Sequence, residues 1–178
     1  LSGTNAQSLA MAAVAGEANF TGKGLKLEGE LGTKTLTATI STPSSISGNA
    51  SIELGFGEAV KLAITQAAAG FVNRTNFTTQ PKVTVQDVSG NTVTNFAGNV
   101  ELSIGAGASI TGTRTLTLTS ADLGVASFSG LGLRGTIGSY TITASSSGLT
   151  SATQTGVALT HGAAASVALT IPATVTND

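Results

Sequence analysis

Hydrophobic and polar residues alternate along most of this chain. Lys34-Thr35-Leu36-Thr37-Ala38-Thr39-Ile40 is one such run, and Lys82-Val83-Thr84-Val85-Gln86 is another. Thr113 to Thr119, Ser139 to Ala144 and Gly156 to Thr160 follow the same rule. A period of two places every second side chain on one face, as in a strand that buries one side. Thr fills most outward positions, where its branched Cβ suits a pleated surface and its hydroxyl meets water. Turn signals separate the runs: Ser89-Gly90-Asn91, Gly105-Ala106-Gly107, Ser147-Gly148 and Gly162. Strands recurring at intervals of about 8–12 residues predict a sandwich rather than βαβ units. Ser8–Ala15 and Gly162–Ala168 are rich enough in Ala to suggest helix, but the internal repeat argues against it.

The chain matches itself. Gly124-Val125-Ala126-Ser127-Phe128-Ser129-Gly130-Leu131-Gly132-Leu133-Arg134 lies over Gly16-Glu17-Ala18-Asn19-Phe20-Thr21-Gly22-Lys23-Gly24-Leu25-Lys26. Further on, Thr141–Ala144 matches Thr35–Ala38, Val157–Gly162 matches Ile52–Gly57, and Ser166–Thr170 matches Lys61–Thr65. The period is about 105 residues, the size of one immunoglobulin-like domain. On this reading 59–162 is a complete unit. Residues 1–58 are the C-terminal part of a unit, and 163–178 hold the first strand of another. Phasing of this kind is expected of a window on a longer array. It is also expected of subunits that complete one another, with 163–178 donated to a neighbouring chain by strand addition.

Composition narrows the function. Only 10% of residues are charged and the net charge is −1, while Thr contributes 29 residues and Gly 23. Nucleic-acid binding needs a positive footprint that this chain lacks. With no Cys, disulfides and thiolate metal sites are excluded. His161 is the one imidazole, so any Ser-His-Asp arrangement would have to use it. No apolar run approaches the ~18 residues of a membrane-spanning helix. Low charge removes a common defence of strand edges against association, which suits a protein whose copies are meant to touch.

The unit 59–162 resembles the bacterial Ig-like (Big/invasin-like) repeats of large surface proteins, including invasin- and intimin-type adhesins, S-layer proteins and giant repeat adhesins. The resemblance rests on Ala59–Thr65 as a first strand and on Pro81–Val93 as strand, turn and strand. It rests also on Gly124–Leu131 and on Tyr140–Ala144 with Gly148–Ala152. It implies an all-β fold, immunoglobulin-like β-sandwich repeats in tandem, each of seven to nine strands. It further implies an extracellular or cell-surface location, a role as spacer, scaffold or adhesin stalk, and no catalytic residues or cofactor.

Several residues could carry chemistry. Asp87, Ser89 and Asn91, with Asn95 nearby, offer oxygens to a calcium ion. The same residues suit a hairpin turn, and no second Asp lies close, so the turn is the favoured reading. Glu28 and Glu30 flank Gly29, and a period of two would set both on one solvated face. Four sequons place possible N-glycans at Asn19, Asn49, Asn73 and Asn76, with the last two favoured because they precede Pro81 in a loop. Phe71, Phe77 and Phe96 read as core plugs rather than a sugar platform, and His161 as part of a linker. The expectation is a non-catalytic structural module that assembles with neighbouring repeats or copies of itself. The alternatives are an adhesin domain that recognises a glycan or receptor, or an Ig-like fibre or decoration domain of a phage particle.

Overall fold

The structure, a computed structural model, describes residues 10, 12–21, 26–40, 46–164 and 166. Eleven strands and one 3₁₀ turn account for its regular elements. β1 (Gly32–Ile40) and β2 (Ile46–Leu54) form a separate antiparallel ribbon. The remaining nine strands lie between Lys61 and Leu159 and build a sandwich. The fold is all-β, as the alternation predicts.

One sheet of the sandwich has the order β3 (Lys61–Gln66), β4 (Lys82–Gln86), β8 (Val125–Ser127). The other has the order β11 (Ala152–Leu159), β10 (Gly138–Ser145), β5 (Gly98–Ile104), β7 (Thr115–Leu118). β6 (Ala108–Thr111) pairs separately with β9 (Gly132–Gly135). All of these ladders are antiparallel.

The inward positions of the alternating runs meet in one core. Val83 and Val85 from β4, Val100 and Leu102 from β5, Ile142 and Ala144 from β10, and Val157 and Leu159 from β11 are all at most 1% exposed. Leu62, Ala126, Phe128, Leu131 and Leu133 join the same cluster. Burying an aliphatic side chain of this size stabilises by about 1.5–3 kcal/mol, so the sandwich needs no large aromatic core. Phe77 is buried and meets Phe71 edge to face, with ring centroids 5.3 Å apart. Phe71 and Phe96 pack partly buried against the cluster, so all three act as plugs.

β3 and β11 belong to different sheets, but the chain flanking them makes contact at two points. The Leu62 amide donates to the Thr150 carbonyl and the Thr150 amide to that of Val60. Further along both segments, the Asn73 amide donates to the Thr160 carbonyl and the Thr160 amide to that of Phe71. Both pairings are parallel.

Some expectations change in detail. The stretch 124–131 forms a strand only over Val125–Ser127, because Leu123 and Gly124 adopt left-handed turn conformations. Around Ser8–Ala15, Val14 and Glu17 exchange both backbone hydrogen bonds across a tight turn at Ala15 and Gly16, whose φ values are 52° and 85°. Of 163–178, only 163, 164 and 166 are described and none is in a strand. The expected strand there, and its donation to a neighbour, lie outside the described residues.

Candidate functional site

Asp87 is the most deeply buried charged group among the described residues, with 3% of its surface exposed. It follows β4 at the start of the turn Asp87-Val88-Ser89-Gly90-Asn91. The Asp87 amide donates to the Asn91 carbonyl and the Gly90 amide to that of Asp87, which closes the turn. The carboxylate then draws in its surroundings. Oδ2 accepts from the Gly57 amide at 3.0 Å and from Asn91 Nδ2 at 3.0 Å, and Oδ1 accepts from the Asn91 amide at 2.8 Å. Burial opposes ionisation, but these donors and the Ser89 amide outweigh it and hold the carboxyl below the usual aspartate range. Both oxygens therefore face N–H groups. Asp87 and Asn91 come together as the turn reading requires, while Ser89 is exposed at the tip.

Asn91 also reaches the segment ahead of β1. Its Nδ2 donates to the Gly29 carbonyl at 2.9 Å. This hub ties together the turn, the segment entering the sandwich at Gly57, and the bend ahead of β1. Glu28 and Glu30 sit exposed on either side of Gly29, whose φ of 136° makes a bend. That bend, rather than a strand of period two, sets their directions.

Three carboxamides act as backbone substitutes, and nothing in the local sequence marks them. Gln154 Nε2 donates to the Ala68 carbonyl at 2.8 Å, and its Oε1 accepts from the Ala68 amide at 2.9 Å. Gln80 makes the same two-way pair with Leu131, at 3.0 Å in each direction. Asn73 does so with Gly135, at 2.9 and 3.2 Å. Each pair occupies the donor and acceptor of one residue, as a neighbouring strand would. Together they close the irregular stretch between β3 and β4 onto β9 and β11.

The sequons diverge. Asn73 is half-buried and its amide is engaged with Gly135, whereas the Asn76 side chain is exposed. Asn49 faces outward on β2 opposite Thr37, and Asn19 caps the Thr21 amide in an exposed turn. His161 is exposed just past β11.

Two open grooves flank these features. One, of about 630 Å³, lies by the entry segment between Phe56, Glu58, Asn95 and Phe96. The other, of about 580 Å³, lies where the chain leaves the sandwich, between Asn73, Arg74, Ser109, Arg134 and Thr136. Arg74 holds a left-handed backbone, φ 65°, and its amide donates a hydrogen bond to the Leu133 carbonyl. Among the described residues, no group of three or more His, Asp or Glu is placed to hold a metal, and no helix is long and apolar enough to cross a membrane.

No protein-family model matches the chain, and no curated protein matches it. Among solved structures, part of a β-glycosidase from Bacteroides vulgatus is similar, with 9% identity and a TM-score of 0.43 over 67% of this chain. Part of a glycosyl hydrolase family 2 member from Bacteroides cellulosilyticus is similar with 18% identity and a TM-score of 0.45 over 72% of this chain. The chain spans 17% of the length of each of these glycoside hydrolases.

Proposed function

We propose that this chain is a structural module of an extracellular repeat protein, a non-catalytic scaffold of the S-layer, fibre or adhesin-stalk kind built from immunoglobulin-like units. The observation that carries the reading is a pairing register shared over three successive pairs, up to the bulge that follows Tyr140 in the sandwich. β1 and β2 pair Gly32 with Leu54 and Lys34 with Ile52. β10 and β11 pair Gly138 with Leu159 and Tyr140 with Val157. These are the positions that the sequence repeat superposes. The bond from Asn91 to Gly29 then serves as a joint between one unit and the next, fixed by a buried carboxylate. Few charges and Thr-rich outer faces suit close contact between copies at a cell surface.

A catalytic role finds little in the residues. The one imidazole, His161, is exposed and has no hydrogen-bond partner among the described residues. A second reading, an adhesin module, draws on the groove bordered by Arg74 and Arg134, which would favour an anionic ligand. Electron microscopy and light scattering of the purified chain test the choice. Ordered assemblies, with no turnover of glycosides, support the scaffold. A monodisperse monomer that binds an acidic polysaccharide saturably replaces it with the adhesin reading.

A further inference from the structure

The ribbon β1–β2 has two unlike faces. Thr33, Thr35, Thr37, Thr39, Ser47, Asn49, Ser51 and Glu53 share one, where the Thr33 hydroxyl donates to the Glu53 carboxylate. Leu36, Ala38, Ile40, Ile46, Ala50, Ile52 and Leu54 share the other with Lys34 and two glycines, since residues paired across an antiparallel ladder point the same way. That second face is open: Ile40, Ile46 and Ile52 are 53%, 62% and 38% exposed. A bare two-stranded ribbon is marginal in water, and one with an uncovered apolar face more so.

We infer that this face is one half of a sandwich interface and that its occupant is a β-sheet with the pattern of β3–β4–β8, supplied by another stretch of polypeptide. The inference rests on the repeat reading proposed above. The template is the interface already present in the sandwich. There, Ile142 and Ala144 of β10 and Val157 and Leu159 of β11 are buried in one cluster with Leu62, Val83, Val85, Ala126 and Phe128 from the facing sheet and its flank. In the ribbon, Ile52 and Leu54 stand at the registers of Val157 and Leu159, while Leu36 and Ala38 match Ile142 and Ala144 in the sequence repeat, the sandwich pair alone shifting register past Tyr140. The side chains are matched in size and apolarity at each position. Lys34 replaces Tyr140, which is only half-buried in the sandwich and sends its hydroxyl to the Thr136 carbonyl. A lysine at such a rim can lay its stem on the apolar layer and keep its charge in water. Two ribbons packed face to face would instead bring two Lys34 ammonium groups to one thin layer of two strands each.

The test extends the whole chain. A copy of residues 59–123 is joined ahead of Gly16, the position that the repeat aligns with Gly124, so that the ribbon follows a front half. Hydrogen exchange then reads the amides of 32–40 and 46–54 beside those of 59–162, which report that the original unit is intact. Protection of the ribbon should rise by about 100-fold or more as it joins a cooperative unit, with a loss of apolar-dye binding. Ile52→Asp in the extended chain should abolish that gain and leave 59–162 unchanged. Unaltered exchange of the ribbon in the extended chain overturns the inference, as does protection that survives Ile52→Asp. Equal protection in the original chain accompanied by a doubled mass also overturns it, since a second copy is then the occupant. None of these outcomes depends on whether the purified chain forms ordered assemblies, which is the readout for the scaffold itself.

Discussion

Gln154 and Ala68 are joined by two hydrogen bonds that run in opposite directions, side chain to backbone, across 86 residues of sequence. Ala68 is only 3% exposed, so its amide and carbonyl have no ready access to water. Gln154→Leu leaves both unpaired, and thermal or urea unfolding should register a loss of about 2–4 kcal/mol. Gln154→Glu keeps the acceptor but opposes a carboxylate to the Ala68 carbonyl. The folded state then disfavours the charged form and raises the carboxyl above its unfolded value. Part of the lost stability should return in acid, below the unfolded value, and disappear as pH rises through the folded one. A Gln154→Glu protein as stable as wild type at neutral pH would contradict this account.

Asp87 has the opposite sign. Its carboxyl is held below the usual range, so its contribution to stability is present above the unfolded aspartate value of about 3.9 and is lost as pH falls through the folded one. Asp87→Ala removes the acceptor for Gly57 and for both donors of Asn91, at about 2–4 kcal/mol. Melting curves from pH 2 to neutrality should show a shallower acid slope for Asp87→Ala than for wild type. Parallel slopes would mean that other carboxylates drive acid unfolding.

Gly130 and Gly132 should respond to alanine for different reasons. Gly130 has φ 65° and open space where a Cβ would stand, so Gly130→Ala meets only backbone strain, about 1 kcal/mol. Gly132 has an ordinary backbone, but a Cβ there would run into the Thr75 carbonyl group, whose carbon would lie 3.0 Å away. Gly132→Ala should cost about 2–3 kcal/mol or more by pushing the 73–77 stretch off β9. Equal effects in denaturant titrations would refute the close approach.

The neighbouring sequons separate in the same way. Asn73→Ala breaks the pair with Gly135 and should destabilise by about 1–3 kcal/mol, whereas Asn76→Ala should fall within about ±0.5 kcal/mol. When the folded protein is offered to an N-glycosylating enzyme, mass spectrometry should find sugar on Asn76 before Asn73. Preferential loading of Asn73 would show that its amide is free.

The alternation of Val83 with Val85 and of Ile142 with Ala144 is enough to predict both strands and which side of each enters the core. The turn at Asp87–Asn91 is readable too, because Asp, Gly and Asn are chosen there for local backbone reasons. What the residues do not reveal is non-local. Gln154, Gln80 and Asn73 look like ordinary surface amides. Their partners lie 86, 51 and 62 residues away, a separation at which no periodicity operates. The Gly29 carbonyl likewise meets a distant donor, Asn91, and the chain bends at Gly29, so the Glu28–Glu30 spacing reads as a strand where the chain in fact turns. Proximity to Pro81 favours Asn73 and Asn76 as a pair, a criterion blind to the use that the fold makes of Asn73.

The parallel contacts that flank the first and last strands of the sandwich have a mechanical consequence. A chain anchored at one end and tugged at the other would pull β3 and β11 past each other lengthwise. The bonds at Leu62–Thr150, Asn73–Thr160 and Ala68–Gln154 would then share the load and have to yield together. In the ribbon β1–β2, the chain enters at Gly32 and leaves at its partner Leu54, so tension would peel those bonds one at a time. Under stretch, the ribbon would open first and act as the slack, while 59–162 would hold as the stiff element.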